Sequence, residues 1–250
     1  MKKNSRHIQT RLTSLRGAWH KVKNMPCQDC CRVKTKNNKL VAVVSDGAGS
    51  AKYSQIGAKI VCETLCDLLI NSNMTNIRND VVKAIETARQ KLLFHRHNVT
   101  KSASGLIDFS ATVVGVFYHN NQGIFFHIGD GAAIAFRQGD YSDFVISEPE
   151  NGAFSCETYF YTMNDWQDCL RFKDFKNKNR LMLMTDGVTG FVFSDDFYQV
   201  RHNFLIPIVE YLDLENRKTY AEQALRNTLN DKQAQRLNAD DKTLFWAKLS

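Results

Sequence analysis

Three times in this chain a short apolar run ends in an aspartate beside a glycine, and that recurrence limits what the chain can become. Leu40-Val41-Ala42-Val43-Val44-Ser45 runs into Asp46-Gly47, Ile124–Ile128 into Gly129-Asp130, and Leu181–Thr185 into Asp186-Gly187. Each run reads as a buried strand stopped by a glycine loop. A fourth run, Thr243–Leu249, is preceded by Asp240-Asp241. An isolated Asp-Gly pair is ordinary turn chemistry, but turn aspartates need no long apolar runs feeding them. Carboxylates at strand ends, with glycine letting the backbone come close, suit hard cations bound through oxygen. Four of them converging at about 5 Å spacing would repel by roughly 3 kcal/mol per pair at an effective dielectric near 20. Without a compensating cation such a cluster holds protons instead. Convergence therefore implies metal.

The remaining pattern predicts an α+β chain. Ile56, Ile60, Val61, Leu65, Leu68 and Leu69 recur at helical spacing, predicting a helix over Ser54–Asn71. Further helices are predicted near Asn79–His97, with Asn79 as N-cap, and at Phe204–Leu212 and Thr219–Leu237. Thr112–Tyr118 and Ile124–Ile128 flank Asn120-Asn121-Gln122-Gly123 and read as a hairpin. Ala132–Phe136 and Asp143–Ser147 read as further strands, and residues 148–178 as a long irregular insertion. There is no internal repeat, low-complexity tract or linker, so a single domain over 1–250 is expected. Hairpins with helices in separate blocks favour antiparallel sheets.

Composition removes several alternatives. The chain has 250 residues, 43% hydrophobic and 24% charged, which excludes disorder throughout. No apolar run approaches the roughly 20 residues a membrane helix needs. The start, Met1-Lys2-Lys3-Asn4-Ser5-Arg6-His7, is basic with no apolar segment behind it, which argues against a signal peptide and for the cytoplasm. Seven cysteines, unevenly spaced, read as reduced thiols. Cys27-x-x-Cys30 with Cys62-x-x-x-Cys66 approaches zinc spacing, but the second pair falls inside a helical pattern. The net charge is +7. Its densest basic stretches, Lys21–Lys39 and Lys173–Arg180, lack interleaved aromatics and read as solvated loops, so nucleic acid is not an expected partner.

Taken in order, Gly17-x-x-His20, Pro26-Cys27-Gln28-Asp29, Val44-Ser45-Asp46-Gly47-x-Gly49, Phe109-Ser110-Ala111-Thr112, Gly129-Asp130, Thr185-Asp186-Gly187 and Asp240-Asp241-Lys242-Thr243 resemble the metal-dependent type-2C serine/threonine protein phosphatases, above all their compact bacterial branch. The resemblance implies a four-layer α-β-β-α sandwich, two antiparallel sheets flanked by helices, with two Mn²⁺ or Mg²⁺ ions in a cleft at one end. It implies that Asp46 bridges both metals, that the Gly47 carbonyl is a ligand, and that Asp29 acts at the first motif. Asp186 and Asp240 would hold the other metal, and Asp108 a looser third. Asp130 would be structural. The catalytic set is then Asp46, Asp29 and His20. A hydroxide bridging the metals would attack phosphorus in line, on a phosphoserine or phosphothreonine protein paired with a cognate kinase.

Three departures stand out. Gln28 and Ala48 occupy positions that carry an acidic residue and a histidine in animal members, and the family's phosphate-binding arginine has no counterpart near the first motif. His20 is the candidate for that last role. These departures keep open a pseudo-phosphatase that binds a phosphorylated partner or kinase without turnover. A haloacid-dehalogenase-type phosphatase needs a second aspartate that Asp46-Gly47-Ala48 lacks.

Overall fold

A strand that reads as an unbroken apolar run is covered on both faces, and the computed structural model shows what covers these. It describes residues 7–101, 105–150, 158–194 and 197–249, so Met1–Arg6 and positions 151–157 of the expected insertion lie outside the described residues. The strands are β1 (Gln9–Leu15), β2 (Cys30–Lys36), β3 (Lys39–Ser45), β4 (Val113–His119), β5 (Gln122–Ile128), β6 (Ala132–Arg137), β7 (Asp140–Ser147), β8 (Arg171–Lys176), β9 (Arg180–Met184) and β10 (Lys242–Lys248). The helices are α1 (Ala18–Val22), α2 (Ser54–Leu69), α3 (Ile77–His95), α4 (Asp186–Val192), α5 (His202–Leu214), α6 (Lys218–Leu229) and α7 (Lys232–Leu237). A 3-10 turn spans Gly105–Phe109.

Two five-stranded sheets form, ordered β1-β10-β9-β6-β7 and β2-β3-β4-β5-β8, and every pairing is antiparallel. Side chains alternate across a strand, and that alternation sorts the core into three slabs. Leu40, Ala42 and Val44 of β3 meet Leu181, Leu183 and Phe245 between the sheets. Val41 and Val43 face the other way, into α2 and α3. Met182, Met184 and Trp246 pack outward against α4, α5 and α6. The layers run helix, sheet, sheet, helix, as the resemblance implied.

Four local expectations are corrected. The basic stretches read as solvated loops contain β2 and β8, the two edges of one sheet. Their outward residues are charged, which hides the strand period, and lysine on an edge discourages pairing with another chain. Arg32 and Lys34 of β2 reach Glu63 and Asp67 of α2 at 2.9 and 2.7 Å. For the same reason the insertion at 148–178 is not wholly irregular, because β8 lies inside it and pairs with β5. The helix expected over Thr219–Leu237 breaks in two at Asn230-Asp231, where Asp231 caps α7 by accepting from the Gln233 amide at 2.8 Å. Finally, α3 begins at Ile77, so Asn79 lies within its first turn and Asn76 precedes it.

The topology also sets the aspartates at one end. β3 and β5 finish where β2 and β4 begin, as the partners Cys30↔Ser45, Val44↔Val114 and Val113↔Ile128 show. In the other sheet β9 finishes where β6 and β10 begin, with Met184 opposite both Ala132 and Leu244. No helix among the described residues is long and apolar enough to cross a membrane.

Leu183 is fully buried between the sheets. Leu183→Ala is expected to cost about 2–5 kcal/mol through lost transfer energy and an unfilled cavity. Urea denaturation should show a lower midpoint with an unchanged slope; a midpoint equal to wild type would contradict this packing.

Candidate metal centre and active site

The strand ends open onto a cleft of about 1360 Å³ whose wall includes His20, Gln28, Asp46, Gly47, Asp108, Asp130, Asp186 and Asp240. Asp46 follows β3 directly, and its backbone is pinned from both sides. Its amide donates to Thr112 Oγ1 at 3.0 Å, and its carbonyl accepts from the Thr112 amide at 2.8 Å. Ser45 Oγ adds a bond to the Thr112 carbonyl at 2.6 Å. Asp186 begins α4 after β9, and Asp29 sits just before β2.

The Asp46 carboxyl lies close enough to both Asp29 and Asp186 for their charges to act on it. Thr185 Oγ1 holds one oxygen of Asp29 at 2.9 Å and also accepts from the Thr243 amide at 3.1 Å. The other oxygen, Asp29 Oδ1, is buried without a hydrogen-bond partner, and so are Asp186 Oδ1 and Asp130 Oδ1. Thr158 donates to the remaining oxygen of Asp130 at 2.6 Å.

Glycine is required at these turns because other backbone comes close. A Cβ on Gly187 would lie 1.8 Å from the Asp241 carbonyl oxygen, and one on Gly47 would lie 2.8 Å from that of Gln28.

Burial shapes the electrostatics. It pushes the Asp29 carboxyl up to about 8, with the Asp241 charge adding to it. Asp186 is pushed up to about 6 by burial and the Asp130 charge, and Asp46 rises well above the usual carboxylate range by burial and both of its neighbours. Two carboxylates about 4 Å apart repel by about 4 kcal/mol at an effective dielectric of 20. Buried carboxylate oxygens without donors, driven toward the protonated form, are a donor set made for a hard cation. The residues present therefore fit divalent metal.

Asp240 and Asp241 are neighbours in sequence with different surroundings. Asp240 is exposed at the cleft, whereas Asp241 is buried. The Asp241 carboxylate accepts from the Gly17 and Gln28 amides, both at 2.6 Å, and lies 2.8 Å from His20 Nδ1. Neither His20 ring nitrogen nor Gln28 Oε1 makes a hydrogen bond, and all three are buried beside the cleft. Lys242 is buried as well, and its Nζ donates to the carbonyls of Asn238 and Asp240 at 2.5 and 3.1 Å, which anchors the loop carrying Asp240. Ligand atoms of His20, Asp240 and Asp241 all lie within 4.8 Å of one another. Sequence reasoning grouped Asp241 with Asp240 and missed its tie to His20. The threonine clamps at Thr112 and Thr185 were missed too, although both sit inside the quoted motifs.

Asp108 reaches the cleft from the 3-10 turn, where its carbonyl accepts from the Tyr53 amide at 2.7 Å. Cys62 and Cys66 face the backbone carbonyls of Cys30 and Arg32 at 3.5 and 3.4 Å, and both are free thiols. Among the described residues, no lysine or arginine lines the cleft.

Solved structures share this fold. A serine/threonine phosphatase, Stp1, from Staphylococcus aureus superposes with a TM-score of 0.68 at 14% identity, covering 98% of this chain and 96% of that one. The Mycobacterium tuberculosis serine/threonine phosphatase PstP/Ppp gives 0.63 at 14% identity, covering 97% and 99%. The S. agalactiae serine/threonine phosphatase gives 0.67 at 13% identity, covering 98% and 100%. At such identities the likeness concerns the fold alone. No curated protein sequence matches the chain. The family model described as "Protein phosphatase 2C" matches residues 16–230, and the chain therefore belongs to the protein phosphatase 2C family of metal-dependent protein serine/threonine phosphatases.

Proposed function

We propose that the chain removes phosphate from phosphoserine and phosphothreonine on proteins at a centre for two Mn²⁺ or Mg²⁺ ions. The observation that carries this is the grouping of Asp46 with Asp29 and Asp186, with unpaired buried oxygens on the latter two. Asp46 would be shared by both ions, Asp29 would serve one of them, and Asp186 with Asp240 the other. Gly47 and Asp108 line the same wall, and the Gly47 carbonyl and the Asp108 carboxylate would serve as further oxygen donors. Bound there, two divalent ions supply Lewis acidity toward water and neutralise charge on the phosphoryl oxygens.

The protein's own part is positioning. The threonine clamps keep Asp29 and Asp46 from turning away from each other. Asp241, held by two amides, lies 2.8 Å from His20 Nδ1, and Nε2 is left to meet a phosphoryl or leaving-group oxygen. That assigns to His20 the place an arginine takes elsewhere in the family. A phosphorylated protein is the substrate, and the kinase that phosphorylates it is the natural counterpart.

The direct test is p-nitrophenyl phosphate hydrolysis with Mn²⁺. Asp46→Asn is expected to lower kcat/KM at least ~100-fold, the scale of losing a main electrostatic element of an active site. Equal rates in the two proteins would defeat the enzyme reading and favour a non-catalytic phosphoprotein binder. His20→Ala should cost about 10- to 100-fold, and a change under about twofold would remove His20 from the site.

Stability should report the same cluster without turnover. Unfolded carboxyls titrate near the usual value of about 4, whereas the fold holds Asp186 to about 6 and Asp29 to about 8. The folded state then binds more protons across this window, so its stability falls as pH rises through it. Metal-free protein should show a Tm that drops by several degrees from about pH 5 to about pH 8, and saturating Mn²⁺ should remove the drop. A Tm insensitive to both would mean the carboxylates do not interact.

A further inference from the structure

The cleft that holds the carboxylates has an apolar rim, which metal chemistry alone does not need. Trp19 is 45% exposed and Ile107 is 68% exposed, and both stand on the same wall as Asp46. Tyr159, Phe160 and Met163 complete the rim. A single exposed large apolar residue is ordinary, but a group around one concave site marks a surface that something covers.

The two exposed residues stand on braced backbone. The Trp19 amide donates to the Ala239 carbonyl at 3.1 Å. Its ring packs edge-on to His20 at 5.2 Å, with Lys23 Nζ 3.7 Å from its centre. The Ile107 carbonyl accepts from both the amide and the hydroxyl of Ser110, at 3.2 and 2.8 Å. An apolar side chain arriving here meets contacts already in place and orders little on binding.

Charge narrows the occupant further. Among the described residues, the charged side chains on this wall are Asp46, Asp108, Asp130, Asp186 and Asp240, with His20 the one basic group. With divalent ions bound these carboxylates are compensated, and among the described lining residues no guanidinium or ammonium stands ready for an acidic residue beside the phosphorylated one, Lys23 Nζ lying over the Trp19 ring instead.

We propose that the preferred substrates carry a large apolar side chain within a position or two of the phosphoserine or phosphothreonine and no acidic neighbour, with Trp19 and Ile107 determining that preference. The proposal rests on the phosphatase reading above.

The test uses the full chain with Mn²⁺ and matched phosphoserine peptides bearing leucine, serine or glutamate on both sides of the phosphoresidue. Each kcat/KM is divided by that for p-nitrophenyl phosphate in the same preparation, so the folded fraction cancels. Wild type should favour the leucine peptide over the serine peptide by about tenfold, with the glutamate peptide slowest. Trp19→Ser and Ile107→Ser should each reduce the leucine-to-serine ratio by about threefold or more. Equal rates on the three peptides, preference for glutamate, or an unchanged ratio in both variants would overturn the proposal while p-nitrophenyl phosphate is still turned over. Failure of wild type to hydrolyse p-nitrophenyl phosphate would instead overturn the phosphatase reading, and this proposal with it.

Discussion

Like charges do not assemble themselves, so the driving force for bringing these carboxylates together lies in the packing of two sheets buried on both faces. Leu40, Ala42, Val44, Leu181, Leu183 and Phe245 close the slab between the sheets. Fully burying one large apolar side chain contributes about 1.5–3 kcal/mol, against about 4 kcal/mol of repulsion for one close carboxylate pair at the same effective dielectric. A core of this size therefore outweighs a few such pairs. The repulsion survives as raised carboxyl pKa values at Asp29, Asp46 and Asp186. A bound cation would relieve it, so metal affinity and apo stability are linked through the same side chains.

The cleft contains two kinds of carboxylate. Asp241 has amide donors on both oxygens and is a finished structural anion that organises Gly17, Gln28 and His20. Asp29 and Asp186 each keep an unpaired buried oxygen. Neutral hydroxyls make the difference. Thr185 and Thr112 grip the loops without adding positive charge, whereas a lysine or arginine in the same place would satisfy the oxygens and compete with metal. Lys242 supplies a cation nearby, yet it spends its donors on main-chain carbonyls.

Much of the fold was legible because strands covered on both faces leave a continuous apolar signature. β3, β4, β5, β6 and β9 were visible for that reason. The signature weakens at sheet edges, where one side of the strand meets solvent and carries charge, although the edge strand β7 was still anticipated. β2 and β8 therefore read as basic loops, and β1, with its polar alternation, was not anticipated. The break between α6 and α7 was missed because the capping carboxylate of Asp231 acts over two residues, below the resolution of a hydrophobic period.

For the site, the order and residue types of the motifs in the linear chain identified the kind of chemistry, since aspartate beside glycine after an apolar run has few other uses when it recurs. Sequence could not show which oxygens would be left without donors. Asp240 and Asp241 are adjacent and identical, yet one is exposed at the cleft and the other lies buried beneath it. That division arises from what packs on the loop before β10: the Gly17 and Gln28 amides and His20 surround the Asp241 carboxylate, while Asp240 lines the cleft. Composition and spacing set which groups were available; the donors that tertiary packing brought to each carboxylate decided which of them kept a free oxygen.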